Sequence, residues 1–218
     1  MKNIKSFDKF INEAVIMPKD LPHVRFENYD QLKEYCEEHG IDLVNYEEFY
    51  NSLSEQDKTT APPDERHVPF FALFHRERMK PMFVLKDPNV IRMIPPFSDI
   101  FFDIISHEMV HAGQQERRGE LTFSLPDPKQ VDKYFSDKDE VMAFAWTIAS
   151  EMRKGFDTLE EALKALRKGH IGQSLARGDS PARRIWNDVS GLDEKLKNKY
   201  RKYIYAYLKK LYKTDEED

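Results

Sequence analysis

The chain has 218 residues, of which 40% are hydrophobic and 33% are charged, and its formal net charge is −5. This length and composition predict one soluble domain of ordinary size with extensions. No apolar run reaches the roughly 18–20 residues of a membrane span, so a membrane protein is not expected. The N-terminus lacks the apolar stretch of a secretory signal. The chain has a single cysteine, Cys36, so it cannot form an internal disulfide, and this indicates a reducing compartment. Cys36 is interpreted as a half-buried packing residue without a catalytic role.

Residues 1–16 form a short amphipathic segment that Pro18 separates from the rest of the chain. Its residues 10–14, FINEA, resemble the end of the capsid-targeting leaders of internal head proteins in large contractile-tailed phages. The resemblance implies recognition of Ile11 and Glu13, cleavage after Glu13, packaging with DNA in the phage head and delivery to the host cytoplasm. The alternative is a helix that docks on its own domain, in a cytoplasmic protein.

The next part of the chain is predicted to hold two helices followed by two paired strands. Asn28 and Asn45 are N-cap signals for the helices, and Gly40 ends the first of them. The apolar runs 68–74 and 81–85 are separated by charged turn residues, which predicts that the two strands pair.

Residues 107–111 read HEMVH, which matches the pattern HExxH. On a helix, residues four apart lie on the same face, so His107 and His111 can bind one metal ion. Glu108 can then lie beside the metal and take a proton from a bound water. The alternative is an exposed helix with two solvated histidines. Helically spaced isoleucines before the motif, and Ser98 as predicted N-cap, favour a buried helix.

HExxH is the signature of the zincin metallopeptidases, which the chain resembles here. In the zincins with a glutamate ligand, a small sheet precedes the metal helix and a second helix supplies the glutamate. Glu140 opens a strongly helical segment and is similar to that ligand. Its alternative role is a capping box with Asp137 as N-cap. Arg117 stands where a longer HExxHxxGxxH pattern has its third histidine, which excludes the metzincin variant.

Further acidic and polar residues are weaker candidates for the site. Glu116, Glu120 and Asp132 are disfavoured as third ligands. Tyr134 and His170 are candidates for stabilising an oxyanion, although each is more often a surface or packing residue.

The chain beyond Glu140 is predicted to be helical, with helices at 158–168 and from Pro181, and with a long final helix that carries a leucine and tyrosine stripe. Residues 153–213 carry 16 basic and 7 acidic side chains, whereas residues 1–152 carry 18 basic and 28 acidic ones. A basic C-terminal third can indicate contact with nucleic acid or another polyanion. The alternative is a solvated helix face, since no nucleic-acid-binding motif is present.

Together these patterns predict an α+β, zincin-like fold with a small β-sheet, an HExxH helix, a glutamate-bearing helix and a helical C-terminal extension. The predicted divisions are a leader or docking segment (1–17), a metallopeptidase core (18–152) and a basic extension of the same domain with an acidic tail (153–218).

The expected activity is hydrolysis of peptide bonds in a peptide or protein substrate, by an endopeptidase rather than an exopeptidase. His107, His111 and Glu140 are expected to bind Zn²⁺, with Glu108 as the general base. The alternative is a virion structural or DNA-associated protein on a zincin scaffold with little or no protease activity.

Overall fold

A computed structural model of the chain describes residues 15–53, 69–75, 78–94, 97–118, 135–168, 181–191 and 193–214. These residues form a mixed α and β structure with a small three-stranded sheet and several helices. Residues 1–14 of the predicted leader, with its cut site after Glu13, lie outside the described residues. The elements, numbered in chain order, are α1 (Tyr29–His39), β1 (Asp42–Asn45), α2 (Tyr46–Ser52), β2 (Phe70–His75), β3 (Lys80–Leu85), α3 (Val90–Met93), α4 (Phe97–Arg118), α5 (Lys138–Gly155), α6 (Leu159–Lys168), α7 (Pro181–Ser190) and α8 (Glu194–Thr214).

The described residues divide into two compact units. The sheet unit contains the described residues of 18–118, with the sheet and helices α1 to α4. The helical unit contains residues 15–17 and the described residues of 135–214, with helices α5 to α8. The domain boundaries predicted from the sequence stay a prediction.

The sheet has the strand order β1-β3-β2. Strands β2 and β3 are antiparallel, with Phe70 opposite Leu85, which confirms the predicted pairing of the two apolar runs. Strand β1 lies parallel to β3 on its other side and was missed in the sequence analysis. It has only four residues and is bounded by Asp42 and Asn45, residue types that strands disfavour, so it shows no readable alternation.

The two predicted N-caps are confirmed. The side chain of Asn28 accepts the backbone N–H of Gln31 at 3.0 Å, and that of Asn45 accepts the N–H of Glu48 at 2.8 Å. Gly40 ends α1 with a φ of 70°, a left-handed conformation that glycine adopts without steric cost. Local signals therefore set the start of both helices.

An aromatic core holds the first half of α4 against the sheet. Phe83 of β3 and Phe101 of α4 are fully buried, with ring centroids 4.9 Å apart. Helix α4 begins at Phe97, so the prediction that Ser98 is its N-cap was wrong. The buried Ser98 hydroxyl instead accepts the backbone N–H of Phe26 at 2.8 Å. The packed first half of α4 fixes the direction in which its second half, with the histidines, extends.

The helical unit is organised around α8, whose predicted stripe is core. The buried members of the stripe are Leu196, Tyr200, Tyr203 and Tyr207. The first described residues also contact this helix: the Tyr207 hydroxyl donates to the carbonyl of Ile16 at 3.0 Å, and Lys210 Nζ donates to the carbonyl of Val15 at 3.2 Å. Val15, the second residue after the predicted cut site, is 3% exposed and is therefore part of the packed unit.

Cys36 is fully buried in the sheet unit, more so than the half-buried position predicted. Burial, with a smaller effect from Glu37, raises the pKa of its thiol from about 9 to about 12. The folded state therefore favours the neutral thiol, and the stability this gives is complete below the unfolded pKa and is lost as the pH rises towards 12. We expect Cys36 to resist alkylation near pH 8 in folded protein and to react readily in denaturant. Rapid labelling of folded protein, followed by mass spectrometry, would contradict the packing role.

Candidate metal centre

Two histidines project from one side of α4. His107 and His111 are four residues apart on this 22-residue helix, and their ring centroids lie 5.1 Å apart with the planes at 74°. Four helical steps of about 100° bring the second side chain to within about 40° of the first, one turn further along the axis. His111 is 5% exposed, whereas His107 is half-buried. The two imidazoles thus share the face that the HExxH spacing requires.

His111 has a buried partner one turn further along α4. Oε1 of Gln114 lies 2.9 Å from Nδ1 of His111, and Gln114 is fully buried. Gln114 was not predicted from the sequence, although its spacing of three residues from His111 places it on the same side of the helix.

Glu140 is held at the start of α5. The side chain of Asp137 caps this helix by accepting the backbone N–H of Asp139 at 2.8 Å and that of Glu140 at 3.4 Å. Asp137 is therefore the N-cap of α5, as the capping-box interpretation of this segment predicted. These two bonds engage the backbone N–H groups of Asp139 and Glu140 and not the Glu140 carboxylate. Glu140 is 2% exposed.

The side chains of His107, His111 and Glu140 form a buried group that could bind a metal ion. One ligand atom from each lies within 4.8 Å of the other two. In a tetrahedral site with bonds of about 2.1 Å, ligand atoms are about 3.4 Å apart, which lies within the 4.8 Å limit of this group. Two imidazole nitrogens and one carboxylate oxygen make a donor set typical of catalytic zinc sites, in which a fourth position stays open.

Glu108 lies on α4 directly after His107 and is 9% exposed. Helical geometry places it about 60° around the axis from His111, next to the face that carries the two histidines. A carboxylate that is buried in a region of low dielectric interacts strongly with nearby charges and protons. This is the setting that a general base at such a site requires.

Two residues of α8 hold the segment that leads into Glu140. The hydroxyl of Tyr200, which is fully buried, donates to the carbonyl of Phe135 at 3.0 Å, and Lys199 Nζ donates to the carbonyl of Ser136 at 3.2 Å. Burial raises the pKa of Tyr200, and the nearby Glu140 carboxylate raises it further. The sequence showed Tyr200 as a member of a core stripe, but its contact with the cap segment depends on the tertiary structure.

We expect Tyr200→Phe to lower the free energy of unfolding by about 1–2 kcal/mol, because the buried carbonyl of Phe135 loses its donor. Chemical denaturation measures this. Tyr29→Phe is the matched control, since the Tyr29 ring is partly buried and its hydroxyl makes no hydrogen bond among the described residues. Equal stability of Tyr200→Phe and the parent would show that this bond does not hold the cap segment.

Of the weaker candidates named from the sequence, only Glu116 lies among the described residues. Glu116 is exposed near the end of α4 and does not belong to the three-residue group. Glu120, Asp132, Tyr134 and His170 lie outside the described residues.

Comparisons with known proteins add no family to this geometry. No family model, curated protein or solved structure matches the chain. Among the described residues, no helix is long and apolar enough to cross a membrane. The geometry and chemistry of the site itself are therefore the basis for inferring a function.

Proposed function

We propose that this protein is a zinc-dependent peptide hydrolase with a zincin-like fold. The observation that carries the proposal is the grouping of donor atoms from His107, His111 and Glu140 within 4.8 Å of one another. The chain order also supports it, because paired strands precede the HExxH helix and a glutamate-bearing helix follows. In this proposal the three grouped residues bind the zinc ion, and Glu108 is the general base.

The donor set fits zinc, and bound zinc would polarise a substrate carbonyl and lower the pKa of a coordinated water to about 7. Glu108 accepts a proton from the attacking water as the new C–O bond forms. It then delivers that proton to the amine nitrogen as the C–N bond breaks, so the carboxylate is regenerated at the end of the cycle. An intact carboxylate at position 108 favours an enzyme, because a purely structural metal site does not need one.

We propose that the substrate is an extended peptide that binds at an edge of the sheet. Among the described residues, β2 pairs with β3 on one side and so forms an edge of the sheet. An edge strand offers backbone N–H and C=O groups to which an extended peptide can add as a further strand. Binding of this kind recognises the interior of a chain, which favours an endopeptidase.

The test is a peptidase assay in which a denatured protein and a mixed peptide library are the substrates. We expect zinc-loaded protein to cut internal bonds, a zinc chelator to abolish cleavage, and added zinc to restore it. Cleavage that survives chelation would overturn the zinc mechanism. No cleavage of any library member by protein that holds zinc would favour a structural metal site.

The second candidate is a DNA-associated virion protein, and it is favoured by the charge of α8. This helix carries eight basic side chains and one acidic one, and Lys195 and Lys213 are exposed on it. Binding to duplex DNA that weakens steeply between about 50 and 200 mM salt, without proteolysis, would favour this candidate. Absence of DNA binding at the lower salt concentration would remove it.

A place in a phage head is a further part of the proposal, and the leader sequence alone supports it. Cleavage after Glu13 would leave Ala14 as the N-terminus, next to Val15, which the helical unit buries. Mass spectrometry of purified particles should find a peptide that begins at Ala14. Particles that contain the uncut leader, or no copies of the protein, would contradict this part.

A further inference from the structure

We infer that Gln114 is a positioning residue for the metal centre, which orients His111 so that its Nε2 atom is the ligand. This inference rests on the proposed function and adds a residue to it. Its basis is the contact of 2.9 Å between Gln114 Oε1 and His111 Nδ1, in a position where Gln114 is fully buried and His111 is 5% exposed.

The direction of this hydrogen bond determines the tautomer of the ring. An amide oxygen carries no hydrogen and can only accept, so Nδ1 of His111 must donate. In a neutral imidazole the proton on Nδ1 leaves the lone pair on Nε2, and a metal ion binds that lone pair. Gln114 therefore selects the form of His111 that can bind zinc through Nε2.

The same bond also fixes the orientation of the ring. Gln114 follows His111 by three residues on α4, so both side chains are carried by one rigid element. A side chain that accepts a hydrogen bond from the other ring nitrogen of a ligating histidine raises the basicity of the ligating nitrogen and reduces the rotation that metal binding must stop. The alternative is that Gln114 only fills space in the core, and in that case its polar atoms would not matter for the metal.

The first measurement needs no variant and no metal. Nitrogen NMR of metal-free protein with labelled histidine, at a pH about two units above the usual histidine pKa of about 6.5, reports which ring nitrogen carries the proton. We expect the proton of His111 on Nδ1 in the parent. In Gln114→Leu, which keeps the side-chain size and removes the acceptor, we expect a shift towards the Nε2-protonated form.

The second measurement is zinc affinity by competition with a chelator. We expect Gln114→Leu to bind zinc about 10–100-fold more weakly than the parent. Gln114→Glu retains an acceptor oxygen and should bind at least as tightly as the parent. Gln115→Leu is the matched control on the same helix, because Oε1 of Gln115 has no hydrogen-bond partner among the described residues, and it should leave the affinity unchanged.

The outcomes separate this inference from the proposed function. If the parent binds zinc and Gln114→Leu binds it equally well, or if the parent carries the His111 proton on Nε2, the inference is overturned while the proposed function stands. If the parent binds no zinc, the proposed function fails, and the proton position in metal-free protein still decides the role of Gln114. If Gln114→Leu does not fold, the spectrum of the parent and the affinity of Gln114→Glu decide it.

Discussion

Glu108→Gln is expected to lower kcat for peptide hydrolysis by about 10³-fold and to leave the zinc content unchanged, since general-base catalysis contributes about 10²–10⁴-fold. Glutamine has nearly the same shape as glutamate but cannot accept and return the proton. Because Glu108 is not a proposed ligand, its replacement should not release the metal. Steady-state kinetics beside metal analysis of the same sample measures both effects.

Glu116→Gln is the matched control for this substitution. It makes the same chemical change on the same helix, at an exposed position outside the three-residue group, so it should keep the parent's kcat. Full activity of Glu108→Gln would remove Glu108 from the mechanism. Loss of zinc together with activity would instead show that Glu108 helps to hold the metal.

Zinc is expected to stabilise the folded protein strongly. A ligand that binds only the folded state adds about 4 kcal/mol at a free concentration of 1,000 times its Kd. For a chain of this size each kcal/mol moves the melting temperature by about 2–4 °C, so we expect a rise of roughly 8–16 °C. Thermal unfolding of metal-free protein, with and without added zinc, measures this shift.

Glu140→Ala should lose most of that shift, because it removes one of three proposed ligands. Glu160→Ala provides the control, since Glu160 is also in the first turn of a helix but is exposed, and it should show the full shift. A zinc-dependent rise that is the same in Glu140→Ala and in the parent would place the third ligand elsewhere.

Local patterns in the sequence predicted much of the sheet unit, including the helix that carries two of the three donor residues. The strands β2 and β3, the caps at Asn28 and Asn45, and the helix with His107 and His111 follow from hydrophobic spacing and capping chemistry within a few residues of each position. These signals are strong because each depends on neighbours in the chain and little on tertiary contacts.

The features that the sequence did not predict depend on tertiary contacts. Strand β1 is too short for its pattern to be read, and it exists because β3 offers it an edge. Ser98 was predicted to cap a helix, but its hydroxyl is used by Phe26, which is distant in sequence. The contact of Tyr200 with the carbonyl of Phe135 likewise joins distant residues. Gln114 is different, since its spacing from His111 could have identified it.

Metal content by mass spectrometry of purified protein shows whether His107, His111 and Glu140 together hold one zinc ion. We expect about one zinc per chain in the parent, as a catalytic site of this type requires, and its loss in His107→Ala and in Glu140→Ala. Zinc retained at the parent's level in both variants, or no zinc in the parent after zinc is supplied, would show that these residues do not form a zinc site.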